Sequence, residues 1–599
     1  MKVDRGPGGL PLSMELVELY KDLVGVVDGE VATYIEPLAQ ADPNTFGLAI
    51  ATVDGHVYRA GDADVPFTIQ SVSKPFAFGL ALDHLGVEAV LERVGVEPTG
   101  DAFNSITVDE VSGRPFNPMV NAGAIVTTSL LGGEPAERER RMLDGLSRFA
   151  GRSLAVDPVV FEAEWRTGDR NRAIAYLMRT FGMLRDEVDA AVETYFRQCS
   201  VLVDVCDLAR MGATLANRGV NPLTGEAALE PAHVARVLSV MTICGMYDYA
   251  GEWLYRIGLP AKSGVSGGVL AVLPGVLAIG VYSPPLDVRG NSVRGIRACQ
   301  ELAGRYGLHM FDGRAATSVV RRAFDASLVR SKRRRPPAHA ELLRARGGDI
   351  RVIEVQGPVQ FGSAEELSRT VARDGSGASH LIIDVTRVTS VDDGALPIVE
   401  ATLRVASEHG VAVVVAGRSA DRFGAAGINT SPTFDAALER CEDELLEGEG
   451  LTEREESLVG HDLLNGMDAR EIDTVMAATT VEHHAAGTRI FSEGDAADSV
   501  YFILTGRVSV VLEADGRPER ITTIGPGGSF GEMAIVDRGT RSASVDAETD
   551  ATCRVLPLTA LKRLEQHLPG FSARLCRNLA ATLSRRLRDA NDEVRALRA

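Results

Sequence analysis

Two strongly charged segments divide this chain of 599 residues into three parts. The first, residues 316–348, is basic and contains prolines and glycines, and the second, residues 442–455, is acidic. Because like charges repel and prolines disrupt regular structure, we predict that both segments are solvated linkers. A patch that binds a membrane or a nucleic acid is the alternative for the basic segment. The linkers leave three domains of ordinary size, 1–315, 349–441 and 456–599.

The composition restricts the partners and the compartment. A net charge of −19 argues against nucleic acid as a partner of the chain. Seven cysteines without a Cys-x-x-Cys pair predict reduced thiols in the cytoplasm. The first residues lack an apolar signal segment, and the run 269–282 is interrupted by Pro274-Gly275, which predicts two strands rather than a membrane span. We find no cluster of metal ligands in the sequence, and we predict that EDTA does not inhibit the protein.

A possible nucleophile opens an apolar helix in the first domain. Ser71 and Lys74 form an S-x-x-K motif, and residues three apart lie on one face of a helix, so the amine is expected to reach the hydroxyl. A buried lysine that loses its charge can accept the serine proton. Lys262, Ser263 and Gly264 follow on a predicted strand, the order found in penicillin-recognising serine hydrolases. Each motif alone also fits a surface helix or strand.

Polar residues lie between these two motifs. Asn121 precedes a small-residue helix, and Glu164 and Asn171 are seven residues apart, which places them on one face of a continuous helix. Tyr195 and Tyr247 stand in otherwise apolar surroundings. Taken singly, each also has an ordinary structural explanation as a cap, a core residue or a solvated side chain.

Together the motifs identify a family resemblance. From Tyr34 to about Gly295 the chain resembles the serine-dependent glutaminases, through QSVSK, NPMVNAGAI, TGDRN, YFRQCS, GMYD, GLPAKSGVSGG and YSPPLDVRGNSVRG. The resemblance implies a β-lactamase-like α/β (α+β) domain, hydrolysis of L-glutamine to L-glutamate and ammonia, and a homo-oligomer, dimer or tetramer.

The same resemblance assigns roles to residues. Ser71 is the expected nucleophile and Lys74 its base, and the hydroxyls of Tyr34 and Tyr247 relay a proton to the leaving ammonia. The backbone N–H groups of Ser71 and Val265 form the expected oxyanion hole. The residues that it assigns to substrate binding are Gln70, Ser71, Asn121, Glu164, Asn171, Tyr195, Tyr247 and Val265.

The middle domain alternates strands and helices, which predicts an α/β sheet. Leu381–Asp384 followed by Val391–Leu396 resembles a STAS domain, in which a serine near that helix start is phosphorylated in one branch of the family. Here Asp393 and Gly394 stand where hydroxyls are expected. Asp393 is then either a fixed mimic of the phosphate charge, or the domain only holds domains or subunits together.

The third domain has short strands with glycine turns, which predicts a β jelly roll followed by C-terminal helices. Gly531, Glu532, Arg541 and Ser542 fit a cassette for a cyclic phosphate and its ribose. Residues 464–587 resemble a cyclic-nucleotide-binding domain, with Thr540 where many members have proline. The resemblance implies cAMP or cGMP as a regulatory ligand, and a degenerate jelly roll used for docking is the alternative.

Three functions fit this organisation. The first is a glutaminase without a catalytic cofactor, regulated by a cyclic nucleotide. The second is a β-lactam-directed hydrolase or sensor with the same nucleophile, disfavoured by the Glu164, Asn171 and Tyr247 motifs. The third is a non-catalytic signalling protein that senses an amino acid, disfavoured by the presence of Ser71 and Lys74.

Overall fold

The computed structural model describes residues 11–99, 108–109, 111–311, 319–327, 329–423, 428–451, 461–514, 517–533, 535 and 539–598. These form two compact units. The first contains residues 1–319, 358–372 and 389–402, and the second contains residues 320–357, 373–388 and 403–599. No helix in the described ranges is long and apolar enough to cross a membrane.

The first unit contains a mixed arrangement of helices and short strands. Its helices are α1 Pro11–Val24, α2 Glu36–Ala39, α3 Lys74–Leu85, α4 Val87–Leu91, α5 Asn121–Ser129, α6 Pro135–Ala150, α7 Pro158–Thr167, α8 Asp169–Thr180, α9 Val188–Cys199, α10 Val205–Ala216, α11 Pro231–Cys244, α12 Ala250–Arg256 and α13 Val293–Tyr306. Its strands are β1 Gly47–Thr52, β2 Val57–Gly61, β3 Phe67–Thr68, β4 Leu202–Val203, β5 Ala261–Ser263, β6 Gly268–Leu273 and β7 Leu277–Tyr282.

An antiparallel sheet of order β2-β1-β7-β6-β5 forms the base of this unit. Strands β1, β6 and β7 are buried along their whole length, as expected of a sheet covered on both faces. Helix α10 packs on β1, β6 and β7, and Gly212 allows its backbone to approach the side chains of Leu270 and Ala278. The predicted pair of strands in 269–282 is confirmed, and β5, with Lys262 and Ser263, lies at the edge of the sheet.

The second unit combines the remaining α/β elements with a β-rich region. The middle segment contains β8 Val320–Asp325, β9 Arg333–Arg334, α14 Pro337–Arg346, β10 Ile350–Val359, α15 Phe361–Asp374, β11 His380–Val391, α16 Leu396–Glu408, β12 Ala412–Ala416, β13 Asn429–Ser431 and α17 Phe434–Gly448. Of these elements, β10, α15, β11 and α16 are shared between the units. The last segment contains α18 Ala469–Ala477, β14 Thr480–His484, β15 Arg489–Phe491, β16 Ser499–Thr505, β17 Val508–Ala514, β18 Arg517–Ile524, β19 Ser529–Phe530, β20 Ser544–Ala547, β21 Ala551–Pro557, α19 Leu561–His567 and α20 Phe571–Arg598.

The sheets of this unit match the predicted fold classes. The α/β sheet has the order β13-β12-β11-β10-β8, with β11, β12 and β13 parallel. The β-rich region has the sheets β14-β21-β16-β19 and β15-β20-β17-β18-β9, as in a jelly roll.

The prediction of a solvated basic linker is wrong where the structure describes it. Residues 320–325 form β8, which pairs with β10, and residues 337–346 form α14. The side chains of Arg333 and Arg335 are only 2% and 5% exposed, and both form ion pairs with Asp443. Arg335 also pairs with Glu442 at 3.2 Å.

The acidic segment is likewise not a linker as far as Gly448, because residues 442–448 are the last turns of α17. The two segments neutralise each other, which removes the repulsion that favoured solvation. Residues 316–318, 328 and 452–455 of the two predicted linkers lie outside the described ranges.

Gly394, one of the positions where the STAS resemblance expects a hydroxyl, packs closely against the end of α13. A Cβ atom added to Gly394 would lie 2.7 Å from the backbone carbonyl of Tyr306, at the end of α13. The Tyr306 ring also packs against Phe361 of α15 with ring centroids 4.7 Å apart. A hydroxyl-bearing residue does not fit at position 394 in this arrangement.

Candidate active site and candidate ligand pocket

Ser71 lies on a tight 3-10 turn, Gln70–Ser73, between β3 and α3. Gln70 has a φ of +48°, a left-handed conformation that is uncommon for a residue with a side chain. Helix α3 begins at Lys74, so Ser71 precedes the helix. The prediction that Ser71 and Lys74 share a helix face is therefore corrected, since the turn and not the helix sets their positions.

A chain of buried hydrogen bonds holds this turn. Ser73 Oγ donates to the backbone carbonyl of Gln70 at 2.7 Å, and Gln198 Nε2 donates to Ser73 Oγ at 2.9 Å. Thr128 Oγ1 donates to Gln198 Oε1 at 2.7 Å. Ser73, Gln198 and Thr128 are each fully buried, at 0% exposure. Through these contacts, α9 and α5 hold the strained backbone of the turn and so position Ser71.

Lys74 is buried among uncharged acceptors. Its Nζ donates to the backbone carbonyl of Met119 at 3.0 Å and to Asn121 Oδ1 at 2.7 Å, and the residue is 1% exposed. Burial lowers the pKa of the Lys74 amine to about 8. A minor fraction of the amine is then neutral near pH 7, and that fraction is able to accept a proton.

Tyr247 lies between two buried amines. Its hydroxyl and the Ser71 side chain are hydrogen-bonded, and its φ is +55°. The Nζ atoms of Lys262 and Lys74 lie 3.9 Å and 5.9 Å from the centroid of the Tyr247 ring. Burial and then repulsion by Lys74 lower the pKa of Lys262, whereas burial raises the pKa of Tyr247.

A carboxylate forms another wall of the site. Glu164 is 4% exposed and accepts from the Tyr34 hydroxyl at 2.7 Å and from Gln70 Nε2 at 3.4 Å. Tyr34 also lies 3.2 Å from Gln70 Oε1. Burial raises the pKa of Glu164, and the two hydrogen bonds oppose that rise. A bound ammonium group would relieve this desolvation.

Amides and a tyrosine connect Lys74 to the opposite side of the site. Asn121 Nδ2 donates to Asn171 Oδ1 at 3.0 Å, and the Tyr195 hydroxyl donates to Asn121 Oδ1 at 3.3 Å. The prediction that Glu164 and Asn171 share one helix is wrong, because α7 ends and α8 begins at Gly168. A side chain at Gly168 would meet the Phe196 ring, so the break brings α7 against α9.

The loop after β5 approaches the turn that carries Ser71. A Cβ atom on Gly264 would lie 3.1 Å from the Val72 side chain and 3.2 Å from the Ile69 carbonyl. Val265 packs on the cluster that contains Ile35 and Val160. The structure thus brings β5, with Lys262 and Ser263, and the following Gly264 against the turn that carries Ser71.

Sequence reasoning missed three residues of this region. Met119 accepts from Lys74, Gln198 supports the turn, and Cys199 lies beside Tyr195. Burial raises the pKa of the Cys199 thiol to about 12, so it is a neutral thiol. Gln198 and Cys199 belong to the YFRQCS motif and Met119 to NPMVNAGAI, and these motifs were the available signal.

A second candidate site lies in the jelly roll. Gly531, Glu532, Arg541 and Ser542 line one cavity of about 190 Å³. Gly531 has a φ of +72°, and a Cβ atom there would lie 2.6 Å from Arg541 Nη1. Residues 534 and 536–538, which follow the predicted Gly531–Glu532 cassette, lie outside the described ranges.

Arg541 is oriented by its surroundings. Its Nη1 donates to the Ser499 carbonyl at 2.9 Å, and its Nη2 donates to Ser499 Oγ at 3.1 Å. The guanidinium carbon lies 4.1 Å from the centroid of the Phe491 ring. The cation is thus fixed at the cavity wall before any ligand binds.

Comparison with known proteins agrees with the three-part organisation of the chain. The family models for glutaminase, STAS domain and cyclic nucleotide-binding domain match residues 29–311, 344–423 and 481–567. The protein called glutaminase 2 from Bradyrhizobium diazoefficiens is 44% identical over 608 aligned residues, which cover 98% of this chain and 96% of that protein.

Shorter relatives match the first part of the chain. A glutaminase from Nostoc sp. is 54% identical over 303 residues, which cover 50% of this chain and 91% of that protein. The crystal structure of Mglu is 41% identical, with a TM-score of 0.51, and the match covers 68% of this chain and 98% of that one. The chain therefore belongs to the glutaminase family, and the predicted enzyme class and three-part fold are confirmed.

Proposed function

We propose that this chain hydrolyses L-glutamine to L-glutamate and ammonia through an acyl-enzyme on Ser71. The observation that carries the proposal is the buried Lys74 amine. It is held by neutral acceptors, and Lys74 lies three residues after Ser71, whose side chain is hydrogen-bonded with Tyr247. Glutaminase names among the relatives support the substrate.

The lowered pKa of Lys74 and the raised pKa of Tyr247 indicate how the proton moves. Ser71 Oγ attacks the side-chain amide carbon, and its proton passes through the Tyr247 hydroxyl to neutral Lys74. Burial raises the pKa of Tyr247, so the phenol relays a proton but does not hold the charge. Lys74 returns the proton to the amide nitrogen, ammonia leaves, and water then hydrolyses the glutamyl ester.

The remaining polar groups recognise a free amino acid. The buried Glu164 carboxylate suits the α-ammonium group, whose charge offsets its desolvation, and Tyr34 and Gln70 hold the carboxylate in place. Asn171 and Tyr195 suit the α-carboxylate or the carboxamide. The backbone N–H groups of Ser71 and Val265 are the proposed oxyanion donors.

Ammonia release from L-glutamine by wild-type protein, Ser71→Ala and Ser239→Ala tests this proposal. Ser239 is exposed on α11 and serves as a matched control for loss of a hydroxyl. We expect activity in the wild type and the control and none in Ser71→Ala, with no effect of EDTA. Full activity of Ser71→Ala would refute the acyl-enzyme, and turnover of a chromogenic β-lactam instead of L-glutamine would favour the rival hydrolase.

We also propose that a cyclic nucleotide, cAMP or cGMP, binds the jelly-roll cavity and changes the glutaminase activity. Support comes from the four predicted residues that line one cavity, and from the matching family model. Kinetics with saturating cAMP or cGMP at several protein concentrations test the regulation. Unchanged kcat and KM under all conditions would refute it. The cytoplasmic location and the homo-oligomeric state stay predictions, the latter testable by light scattering.

A further inference from the structure

The segment between the first two predicted domains contributes a strand to the jelly roll. Residues Arg333–Arg334 form β9, which pairs in parallel with β18 at the edge of its sheet. The Thr523 N–H donates to the Lys332 carbonyl at 3.2 Å, and Lys332 Nζ donates to the Arg520 carbonyl at 3.1 Å. The basic segment is thus a structural part of the ligand-binding domain.

Side chains alternate along this strand. Arg333 and Arg335 point to α17, where they are buried in ion pairs with Asp443. Because successive residues of a strand point to opposite faces, Arg334 points the other way. It lines the same cavity as Arg541, and so does Ile524, its partner in the β9–β18 register.

The charges of the cavity wall favour an anion. Among the residues that the structure describes, its charged lining residues are Arg334, Glu532 and Arg541, and the two arginines and one glutamate give a net charge of +1. A cyclic phosphodiester has a single negative charge. Arginine stays protonated when it is partly buried, and its planar group donates several hydrogen bonds at once.

We propose that Arg334 is a second phosphate-binding residue of this cavity, which contacts the anionic cyclic nucleotide together with Arg541. This inference rests on the proposed nucleotide binding. A contact between the nucleotide and Arg334 would also connect ligand binding to α17. Arg334 lies between Arg333 and Arg335, and the side chains of both form ion pairs with that helix.

Calorimetric titration of the full-length protein with cAMP and cGMP tests the proposal. The variants are Arg334→Met, Arg541→Met and Arg344→Met, the last an exposed arginine of α14 that controls for loss of one charge on the same segment. We expect Arg334→Met to weaken binding of the preferred nucleotide by roughly ten-fold or more, as for a lost charge-assisted hydrogen bond, and Arg344→Met to bind like the wild type. Binding of the uncharged nucleoside is expected to be unaffected by Arg334→Met.

The possible failures can be told apart. If Arg541→Met abolishes binding while Arg334→Met and Arg344→Met both match the wild type, nucleotide binding stands and the role of Arg334 is refuted. Tighter binding by Arg334→Met also refutes it, since Arg334 would then occupy the space of the ligand. If the wild-type protein binds neither nucleotide, both proposals are refuted.

Discussion

The catalytic pocket and the jelly-roll cavity both bury cationic side chains, but they use different cations. Lys74 and Lys262 are 1% and 0% exposed, and burial lowers the pKa of each amine. Arg541 is 6% exposed, and burial also lowers its pKa. The ordinary pKa of a guanidinium is so high, however, that the group keeps its charge. In the proposed function, the same desolvation therefore produces a base in one pocket and a permanently charged anion-binding group in the other.

The difference shows how side-chain chemistry, rather than burial alone, determines what a buried cation does. An amine that becomes neutral can take the proton of Ser71. A guanidinium cannot do so, but its fork suits two oxygen atoms of a phosphate. Four predictions test this contrast.

The largest expected effect comes from Lys74→Arg, which keeps a cation but removes the neutral form. We expect kcat/KM for L-glutamine to fall by about 10³-fold or more, as for the loss of a general base. Lys74→Met separates loss of the base from the size of arginine, and thermal melting shows whether either variant is folded. Activity of a folded Lys74→Arg within ten-fold of the wild type would mean that another group accepts the proton.

The next effect concerns pH. The pKa of Lys74 is lowered to about 8, and only the deprotonated amine is a base. We therefore expect kcat/KM to rise about ten-fold per pH unit below pH 8 and to level above it. A profile that is flat between pH 6 and pH 9 would contradict a role for Lys74 as the base.

In the jelly-roll cavity, we expect an exchange between arginine and lysine to be better tolerated than at Lys74. We expect Arg541→Met to weaken nucleotide binding by roughly 10–100-fold and Arg541→Lys by less, since lysine keeps the charge but loses the fork. Titration of both variants measures the two contributions. Equal affinities for Arg541→Lys and Arg541→Met would show that the charge alone contributes nothing.

The smallest effect concerns the support of the strained turn. Gln198→Leu and Ser73→Ala each break the chain of hydrogen bonds that ends on the Gln70 carbonyl. We expect each variant to lower kcat about ten-fold with little change in KM, because misplacement of a nucleophile affects the chemical step. Since both act through one chain, the double variant should be no worse than either single one. Additive losses would mean that the two residues act separately.

Much of the catalytic site could be predicted from the sequence. Ser71, Lys74, Asn121, Glu164, Asn171, Tyr195 and Tyr247 stand in uncommon motifs, and the structure brings all of them together. The motifs do not show which atoms meet. Lys74 contacts Met119 and Asn121, and Ser71 pairs with Tyr247, because a 3-10 turn precedes α3.

The charged segments show where such prediction fails. Residues 332–335 and 442–448 each look solvated when only their neighbours in the chain are considered. The two segments are about a hundred residues apart in the chain, yet their opposite charges pair, since Arg335 forms ion pairs with Glu442 and Asp443. Local composition contains no information about that pairing.

The three kinds of domain, the Ser71–Lys74 motif and the Gly531–Glu532 cassette could be recognised from the sequence alone, because each depends on residue types at short, fixed spacings. That Arg333 and Arg335 face α17 while Arg334 faces the jelly-roll cavity follows only from the folded chain. The same is true of the packing of Gly394 against Tyr306. These outcomes depend on which distant surfaces meet, since burial and charge pairing are properties of the folded chain and not of any short segment.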